Sequence, residues 1–360
     1  MLDNIRRIVT GHDEKGRSVV LLNEPPAKLR EFPGMGLGDA WITTSVPADN
    51  SKFEDLAPNY PQLQPPKGGI RVAWFWHGKD DPSRKWQRTG DPAIIMDDTK
   101  RHPSMHRTNT LDYVVLIKGR MRMLLDKGEI DMNPGDVVVQ RGTNHAWTNV
   151  YDEPALLFSI MMDATPGVGH GETLDPSPVQ VPESPFKHLK RTITGHNANG
   201  EAVALYHGPA VNGMSSPAAG LGEIWQTIGL PADFKDARDL SRGSVKLEPA
   251  PSGIKVRWFW IMPETGGDAA QLQKASAATF AAIGAAHAQT DTSRHPGMHK
   301  TNSTDNIVCL KGNSTLLLDA DEIDLRPGDV VVQRGTSHAW INKGPEPALY
   351  LAVLVDAKPL

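Results

Sequence analysis

Cysteine is nearly absent from this sequence, which has one, Cys309, among 360 residues. A single cysteine cannot form a disulfide within the chain, and we expect a buried, inert thiol in a reducing compartment. No apolar run is long enough to cross a bilayer, and the first residues lack the apolar core of a secretory signal. The sequence therefore predicts a cytoplasmic protein without a membrane partner.

Charge of one sign is also scarce. The chain carries 38 Lys and Arg against 42 Asp and Glu, a formal net charge of -4, and neither a block of like charges nor a basic stripe stands out. Helix-turn-helix and zinc-finger spacings are missing as well, so we expect no nucleic-acid partner. The composition, 39% hydrophobic, is that of an ordinary globular protein with room for two cores. We expect a small-molecule ligand or substrate and a monomer or homodimer.

An internal repeat organises the chain. The stretch Pro134 to Asn149 occurs again at Pro327 to Asn342, with changes at two positions, Asn144/Ser337 and Thr148/Ile341. Other matched segments extend the repeat to most of the sequence. It predicts an N-terminal domain over residues 1–172 and a C-terminal domain over 187–360, each with its own N-terminal extension. Residues 173–186, within a Pro- and Gly-rich region, are the predicted linker.

Short β-strands with turn residues between them are the main local pattern. In the first copy the pattern predicts strands at 70–76, 105–117, 121–125, 129–132, 137–140, 145–149 and 155–162. In the second it predicts strands at 256–261, 306–310, 314–318, 322–325, 330–333, 338–342 and 348–355. A second-copy insertion, Ala269 to Ala288, is alanine-rich and predicts a helix. Even spacing of short strands predicts an all-β sandwich or jelly roll in each half.

Histidines and one aspartate share parity within each copy. Successive side chains of a strand point to opposite faces, so residues of one parity meet on the same side. In the first copy this places His102, His106, Thr108 and Asp112 on the side to which His145 also points. The second copy repeats the set with His295, His299, Thr301, Asp305 and His338. We therefore expect one cluster inside each half.

These motifs resemble those of the cupin superfamily, and specifically a bicupin with two cupin barrels on one chain. The first cupin motif matches His106-x-Thr108, Asp112 and Gly119, and again His299-x-Thr301, Asp305 and Gly312. The second matches Gly135, Gly142, His145 and Asn149, and again Gly328, Gly335, His338 and Asn342. Gln140 and Gln333 stand where the motif has its proline, one residue nearer the first glycine. The resemblance implies two tandem double-stranded β-helix (jelly-roll) barrels.

The candidate metal ligands depart from the family pattern. The second histidine of the motif is replaced by Thr108 or Thr301, and the glutamate by the shorter Asp112 or Asp305. His106, Asp112 and His145 would form a two-histidine, one-carboxylate face, repeated as His299, Asp305 and His338. Such a face suits Fe(II), with Mn, Ni or Zn as alternatives. His102 and His295 are candidates for a fourth ligand, and the other interpretation is a barrel that has lost its metal.

Aromatic and methionine side chains are the candidates for a substrate pocket. Trp147 shares a strand face with His145, and Trp340 shares one with His338. Wall positions for an apolar or aromatic small molecule are predicted at Trp76, Met105, Thr108 and Trp147, and at Trp260, Met298, Thr301 and Trp340. The alternative for the tryptophans is packing in the core or between the barrels.

Three functions remain open from the sequence. The leading hypothesis, which comes from the family resemblance, is a metal-dependent enzyme of dioxygenase type. The second is a non-redox lyase or isomerase in which the metal polarises a carbonyl group. The third is a non-catalytic cupin that binds a small molecule without metal.

Overall fold

The computed structural model describes residues 2–81, 94–96, 101–167, 169, 171, 173–236, 238–264, 266 and 268–360. Their dominant element is the β-strand. In the first half these are β1 (Arg7–His12), β2 (Ser18–Glu24), β3 (Lys28–Phe32), β4 (Met35–Thr43), β5 (Ile70–His77), β6 (Ile94–Met96), β7 (His106–Thr108), β8 (Thr110–Lys118), β9 (Met121–Leu125), β10 (Glu129–Met132), β11 (Val137–Arg141), β12 (His145–Thr148) and β13 (Ala155–Asp163).

The second half repeats this order. Its strands are β14 (Arg191–His196), β15 (Ala202–Gly208), β16 (Gly213–Ser215), β17 (Ala219–Ile228), β18 (Gly253–Ile261), β19 (Ser303–Lys311), β20 (Ser314–Leu318), β21 (Glu322–Leu325), β22 (Val330–Arg334), β23 (His338–Ile341) and β24 (Ala348–Asp356). The helix α1 (Ala269–Ala282) belongs to this half, and short 3-10 turns lie at Leu2–Asn4, Ala57–Asn59, Leu240–Arg242 and Ala286–Ala288.

Each half is a sandwich of a large and a small sheet. The large sheet of the first half has the order β15-β14-β11-β8-β13-β5-β4-β3, and its small sheet has the order β10-β9-β12-β7-β6. The second half has β16-β17-β18-β24-β19-β22-β1-β2 and β21-β20-β23. The fold is all-β, with two tandem jelly-roll barrels.

The two halves exchange their first hairpins. Strand β1 runs parallel to β22 of the second half, with Arg7 opposite Val330. Strand β14 runs parallel to β11 of the first half, with Arg191 opposite Val137. The hairpins β1-β2 and β14-β15 therefore each complete the large sheet of the opposite half. This strand pairing crosses the predicted linker, and Glu172, the predicted end of the first domain, lies outside the described residues.

A continuous apolar core joins the two large sheets. Trp74 and Trp258, both buried, belong to this core with residues of both halves. The indole Nε1 of Trp74 donates to the carbonyl oxygen of Gly328 at 3.0 Å, and that of Trp258 donates to Gly135 at 2.8 Å. Each tryptophan thus binds a turn of the opposite half, so packing between the barrels accounts for these two side chains.

Each barrel has a separate apolar interior between its two sheets. The first interior includes Val114, Leu116, Met123 and Leu157. The second includes Cys309, Leu318 and Tyr350 among its buried residues. Burial raises the pKa of the Cys309 thiol to about 12, so this side chain is a thiol, not a thiolate, at neutral pH. Among the described residues no helix combines the length and apolar character that a membrane span requires.

Candidate functional site

Two histidines meet at the same place in each barrel. His106 on β7 is paired across the strands with His145 on β12, and the ring centroids are 4.4 Å apart. In the second half, His299 and His338 exchange two backbone hydrogen bonds of 2.9 Å, and their ring centroids are 4.3 Å apart. Cross-strand neighbours on one face are close by construction. The predicted meeting of these imidazoles is therefore present in both halves.

Backbone carbonyls orient all four imidazoles in the same way. The Nδ1 atom lies 2.8 Å from Ser104 O in His106 and 3.0 Å from Thr143 O in His145. The matching distances are 2.8 Å from Gly297 O in His299 and 2.9 Å from Thr336 O in His338. A carbonyl oxygen can only accept, so Nδ1 carries the proton and Nε2 carries the lone pair. This is the arrangement that second-shell carbonyls give to metal-binding imidazoles.

Burial keeps these imidazoles neutral. It lowers the pKa of His145 to about 3, and the neighbouring His106 acts in the same direction. The pKa of His106 is also lowered by burial, as are those of His299 and, further, His338. The physical reason is that imidazolium loses hydration inside the barrel. At neutral pH each pair therefore offers two uncharged nitrogen donors.

The aspartates do not join the imidazole pairs. Asp112 is buried in the first barrel, where burial raises its pKa to about 7 and a hydrogen bond with Thr110 acts in the opposite direction. Burial also raises the pKa of Asp305 to about 7 in the second barrel, where hydrogen bonds with Ser303 and Thr301 act in the opposite direction. Within the described part of the chain, no three His, Cys, Asp or Glu side chains are grouped closely enough to hold one metal ion. The described residues therefore do not bring the predicted two-histidine, one-carboxylate set together as one group, and that set stays a prediction.

A glutamine adjoins His145 and is paired with the aspartate in the strand register. Gln140 is opposite Asp112 in the strand register, and its Nε2 lies 2.9 Å from Thr143 O and 3.1 Å from His145 Nδ1. The Oδ1 atom of Asp112 and the Oε1 atom of Gln140 are both buried without a hydrogen-bond partner. The raised pKa of Asp112 favours its protonated form, which could donate to a carbonyl-type oxygen such as Gln140 Oε1. Gln333 and Asp305 repeat the pairing and the two partnerless oxygens.

The two histidines proposed as fourth ligands belong to loops. His102 Nδ1 lies 2.7 Å from the hydroxyl of Ser104. His295 Nε2 lies 2.9 Å from Glu264 Oε1, in a partly exposed pair. Neither histidine forms a three-ligand group with the imidazole pairs among the residues that are described. The prediction of a fourth ligand at these positions is not supported by this geometry.

The tryptophans divide between two places. Trp147 contacts His145 edge-on at 5.9 Å, and Trp340 contacts His338 at 5.8 Å, so these two adjoin the imidazole pairs as predicted from strand parity. Trp76 and Trp260 instead pack in the core between the halves. Their assignment to the substrate pocket was wrong because Trp76 alternates with Phe75, and Phe75 is the side chain that points to the barrel interior.

The remaining predicted wall residues also lie apart from the tryptophans. Met105 packs with Leu124 and Ala146. The residues next to these two along the strands, Met123, Leu125 and Trp147, pack in the barrel interior, so Leu124 and Ala146 point to the opposite face. Met298 packs with Leu317 and Ala339 in the matching cluster. Met105 and Met298 are therefore on the other face of the small sheet, and their place in the predicted pocket was wrong.

The two threonines are part of the aspartate environment. The Thr108 hydroxyl lies 2.6 Å from that of Thr110, and the Thr301 hydroxyl lies 2.6 Å from that of Ser303. Thr110 in turn binds the Asp112 carboxyl. These hydroxyls therefore lead towards the aspartate and form a buried polar network beside the imidazole pair.

Sequence reasoning missed two kinds of residue beside the imidazoles. Phe75 contacts Trp147 at 6.2 Å, and Phe259 contacts Trp340 at 5.5 Å and stacks on Tyr350 at 4.7 Å. The parity of the Trp-Phe-Trp segments places each phenylalanine on the face opposite the tryptophans, but it does not say which face lines the barrel. For Gln140, the usable signal was that a glutamine stands where the cupin motif has its proline.

Comparison with known proteins agrees with this architecture. A family model described as "Cupin domain" matches residues 287–354. The chain is 33% identical over 150 residues to phomopsin biosynthesis cluster protein D of Diaporthe leptostromiformis, covering 40% of this chain and 69% of that protein. It is 34% identical over 176 residues to cupin-domain-containing oxidoreductase srdB of Neurospora crassa, covering 47% of this chain and 79% of that protein.

Solved structures were compared as well. The cupin 2 conserved barrel domain protein from Leptotrichia buccalis is 10% identical, with a TM-score of 0.37 over 82% of this chain and 86% of that chain. The family assignment itself comes from the curated relatives and from the repeated motifs. The chain belongs to the cupin superfamily, as a bicupin with two cupin barrels.

Proposed function

We propose that this protein is an oxidoreductase that acts on a small apolar or aromatic organic molecule at the paired imidazoles. The observation that carries the proposal is the pairing itself, in which two neutral rings from separate segments lie side by side in each half. Similarity to a relative named as a cupin-domain-containing oxidoreductase supports the reaction class. The aromatic edge of Trp147 beside His145 supports an apolar or aromatic ligand.

We propose a divalent metal ion as the cofactor, with Fe(II) expected and Mn, Ni or Zn as alternatives. The residues fit such an ion in part, because His106 and His145 supply two Nε2 lone pairs while Asp112 supplies no ligand. His299 and His338 offer the same pair in the second half. Iron bound there would supply redox chemistry with O2.

The chain's own residues would orient the donors and exclude water. The carbonyl oxygens of Ser104 and Thr143 hold the imidazole rings in one tautomer. Burial keeps both rings unprotonated at neutral pH, because it lowers the pKa of each. Protons therefore compete for the Nε2 atoms only at a pH below the ordinary range of histidine.

Metal analysis of protein purified without a histidine tag tests the proposal. We expect about one divalent ion for each imidazole pair, so that a double His106→Ala/His145→Ala variant loses about half of the metal. The matched control is His287→Ala, which removes an exposed histidine paired with Glu248 and should leave the metal content unchanged. Substoichiometric metal that is unchanged in the double variant would contradict the metal site.

Oxygen uptake separates the redox reaction from the non-redox alternative. The iron-loaded protein is mixed with a panel of small aromatic compounds while dissolved O2 is recorded. Consumption that depends on both the compound and His145 supports the oxidoreductase. Conversion of a compound without O2 consumption would instead support a lyase or isomerase.

A non-catalytic binding protein is the second candidate. The observation that favours it is the absence of a three-ligand group among the described residues, since redox iron sites commonly have a third protein ligand. In that case a small molecule would bind between Trp147 and the imidazole pair without turnover. Tight binding of a compound to the metal-free protein, with no reaction after iron loading, would favour this candidate.

A further inference from the structure

We propose that Phe280 controls access to the imidazole pair of the second half. The inference rests on the proposed function, because it takes His299 and His338 as the place where a ligand binds. The ring centroid of Phe280 lies 4.8 Å from that of His299, at an interplanar angle of 51°. A ligand approaching His299 from this side has to displace the phenylalanine.

Phe280 belongs to a helix that lies in a segment of the sequence that is longer in the second copy than in the first. Helix α1 lies within the segment between Trp260 and His295, which is nine residues longer than its counterpart in the first copy. Asp268 caps the helix by accepting a hydrogen bond from Ala270 N at 3.3 Å. In the second half, a side chain of this longer segment therefore lies on one of the two imidazoles.

The burial pattern of α1 indicates that Phe280 is its main apolar anchor. Of the residues in this helix, Phe280 is the buried one. It packs with Ile283, Ala285 and Ala288 of the segment that follows, and with partly buried residues including Val245. The hydroxyl of Ser276 adds a hydrogen bond of 2.7 Å to Pro296 O.

A helix held in this way can open without unfolding the barrel. A 14-residue helix is marginally stable on its own in water, so its packing determines whether it stays in place. Segments with few buried contacts open locally at a lower free energy than the core strands. Because the same ring anchors the helix and lies on the half-buried His299, one local opening exposes the imidazole more fully.

Chemical acylation of histidine measures this access directly. Diethyl pyrocarbonate acylates neutral imidazoles, and peptide mapping by mass spectrometry gives separate rates for His299 and His106. We expect Phe280→Ala to raise the rate at His299 about tenfold, equal to a reduction of about 1.4 kcal/mol in the free energy of opening. The rate at His106 should not change, since this residue lies in the other half.

Two further variants separate the ring from general loosening. Ile283→Ala removes a buried side chain of the same cluster, but the ring contact with His299 is made by Phe280. It should raise the rate at His299 by a smaller factor than Phe280→Ala, because it weakens the helix packing but leaves the ring on His299. Phe280→Leu keeps apolar packing and remains informative if the alanine variant does not fold; it should raise the rate by a smaller factor than alanine.

Two results would overturn the proposal. One is an unchanged rate at His299 in folded Phe280→Ala or, if that variant does not fold, in Phe280→Leu. The other is an equal rise in Ile283→Ala, which would mean that helix stability, not the ring, controls access. The assay needs neither metal nor substrate, so a failed metal analysis does not affect it.

Discussion

Replacing Asp112 with asparagine should change how the stability of the protein depends on pH. Burial raises the pKa of this carboxyl from 3.8 to about 7. Between these values the folded protein holds a proton that the unfolded chain has released, so stability decreases as the pH rises through the window. Asparagine has nearly the same shape and no such proton.

The size of the effect follows from the pKa difference. A shift of about three units, at about 1.4 kcal/mol for each unit, corresponds to about 4 kcal/mol. Relative to wild type, Asp112→Asn should therefore gain up to about 4 kcal/mol in the free energy of unfolding between pH 4 and pH 7. Asp305→Asn should behave in the same way, because the pKa of Asp305 is also raised to about 7.

Urea unfolding of metal-free protein, followed by tryptophan fluorescence between pH 4 and pH 8, measures this difference. The matched control is Asp131→Asn, because the Arg122 hydrogen bond lowers the pKa of Asp131 and the change should cost stability at neutral pH. A difference between Asp112→Asn and wild type that does not grow with pH would refute the reasoning. It would mean that Asp112 is already ionised in the fold.

Three other changes test the histidines and the exchange between halves. Burial lowers the pKa of His145 to about 3, so the stability of the fold decreases as the pH falls from about 6.5 towards 3. His145→Gln should therefore flatten the pH dependence of urea unfolding in this range, and the same slope in variant and wild type would contradict this. Trp74→Phe leaves the Gly328 carbonyl without its donor and should cost about 1–3 kcal/mol in urea unfolding; a cost near zero would count against the interface. A fragment of residues 1–186 lacks β14 and therefore exposes the edge of β11. It should self-associate, as measured by size-exclusion chromatography with light scattering, whereas a stable monomer would argue against the exchange of hairpins.

Strand positions were predictable because local pattern determines them. The hairpin at Met121–Leu125 and Glu129–Met132 has the predicted bounds. The helix begins at Ala269 as predicted but ends at Ala282, because Gly284 adopts a positive φ of 66° and interrupts it. Composition alone predicted the helix, and the glycine that limits it was visible in the sequence.

Strand parity is strict, so the sequence predicts which residues of one strand share a face. It does not predict which face of a strand buried on both sides meets the barrel interior. Parity groups the residues within each strand, and the match to the two cupin motifs, which lie on neighbouring strands of one barrel, is what predicted that His106 and His145 would meet. Parity does not say which face of β5 meets the barrel interior, because the residues of both faces are largely buried, including Arg71 and His77 on the Phe75 face. The place of Trp76 could not be read from its own segment for this reason.

The exchange of hairpins had no signal in the sequence. β11 and β22 both read Val-Val-Val-Gln-Arg, so β1 finds the same partner pattern in either half. Only the three-dimensional path of the chain decides between the two. The neighbour of Asp112 could not be predicted for a related reason, because Gln140 lies on another strand and its position opposite Asp112 depends on the register.

Anomalous scattering from crystals of the untagged protein, recorded at the iron, manganese and zinc edges, tests the metal proposal most directly. We predict one peak beside the Nε2 atoms of His106 and His145 and another beside those of His299 and His338. Asp112 and Asp305 should lie outside the coordination distance. Peaks elsewhere in the protein, or a metal-free structure in which the two imidazoles of a pair point apart, would contradict the site.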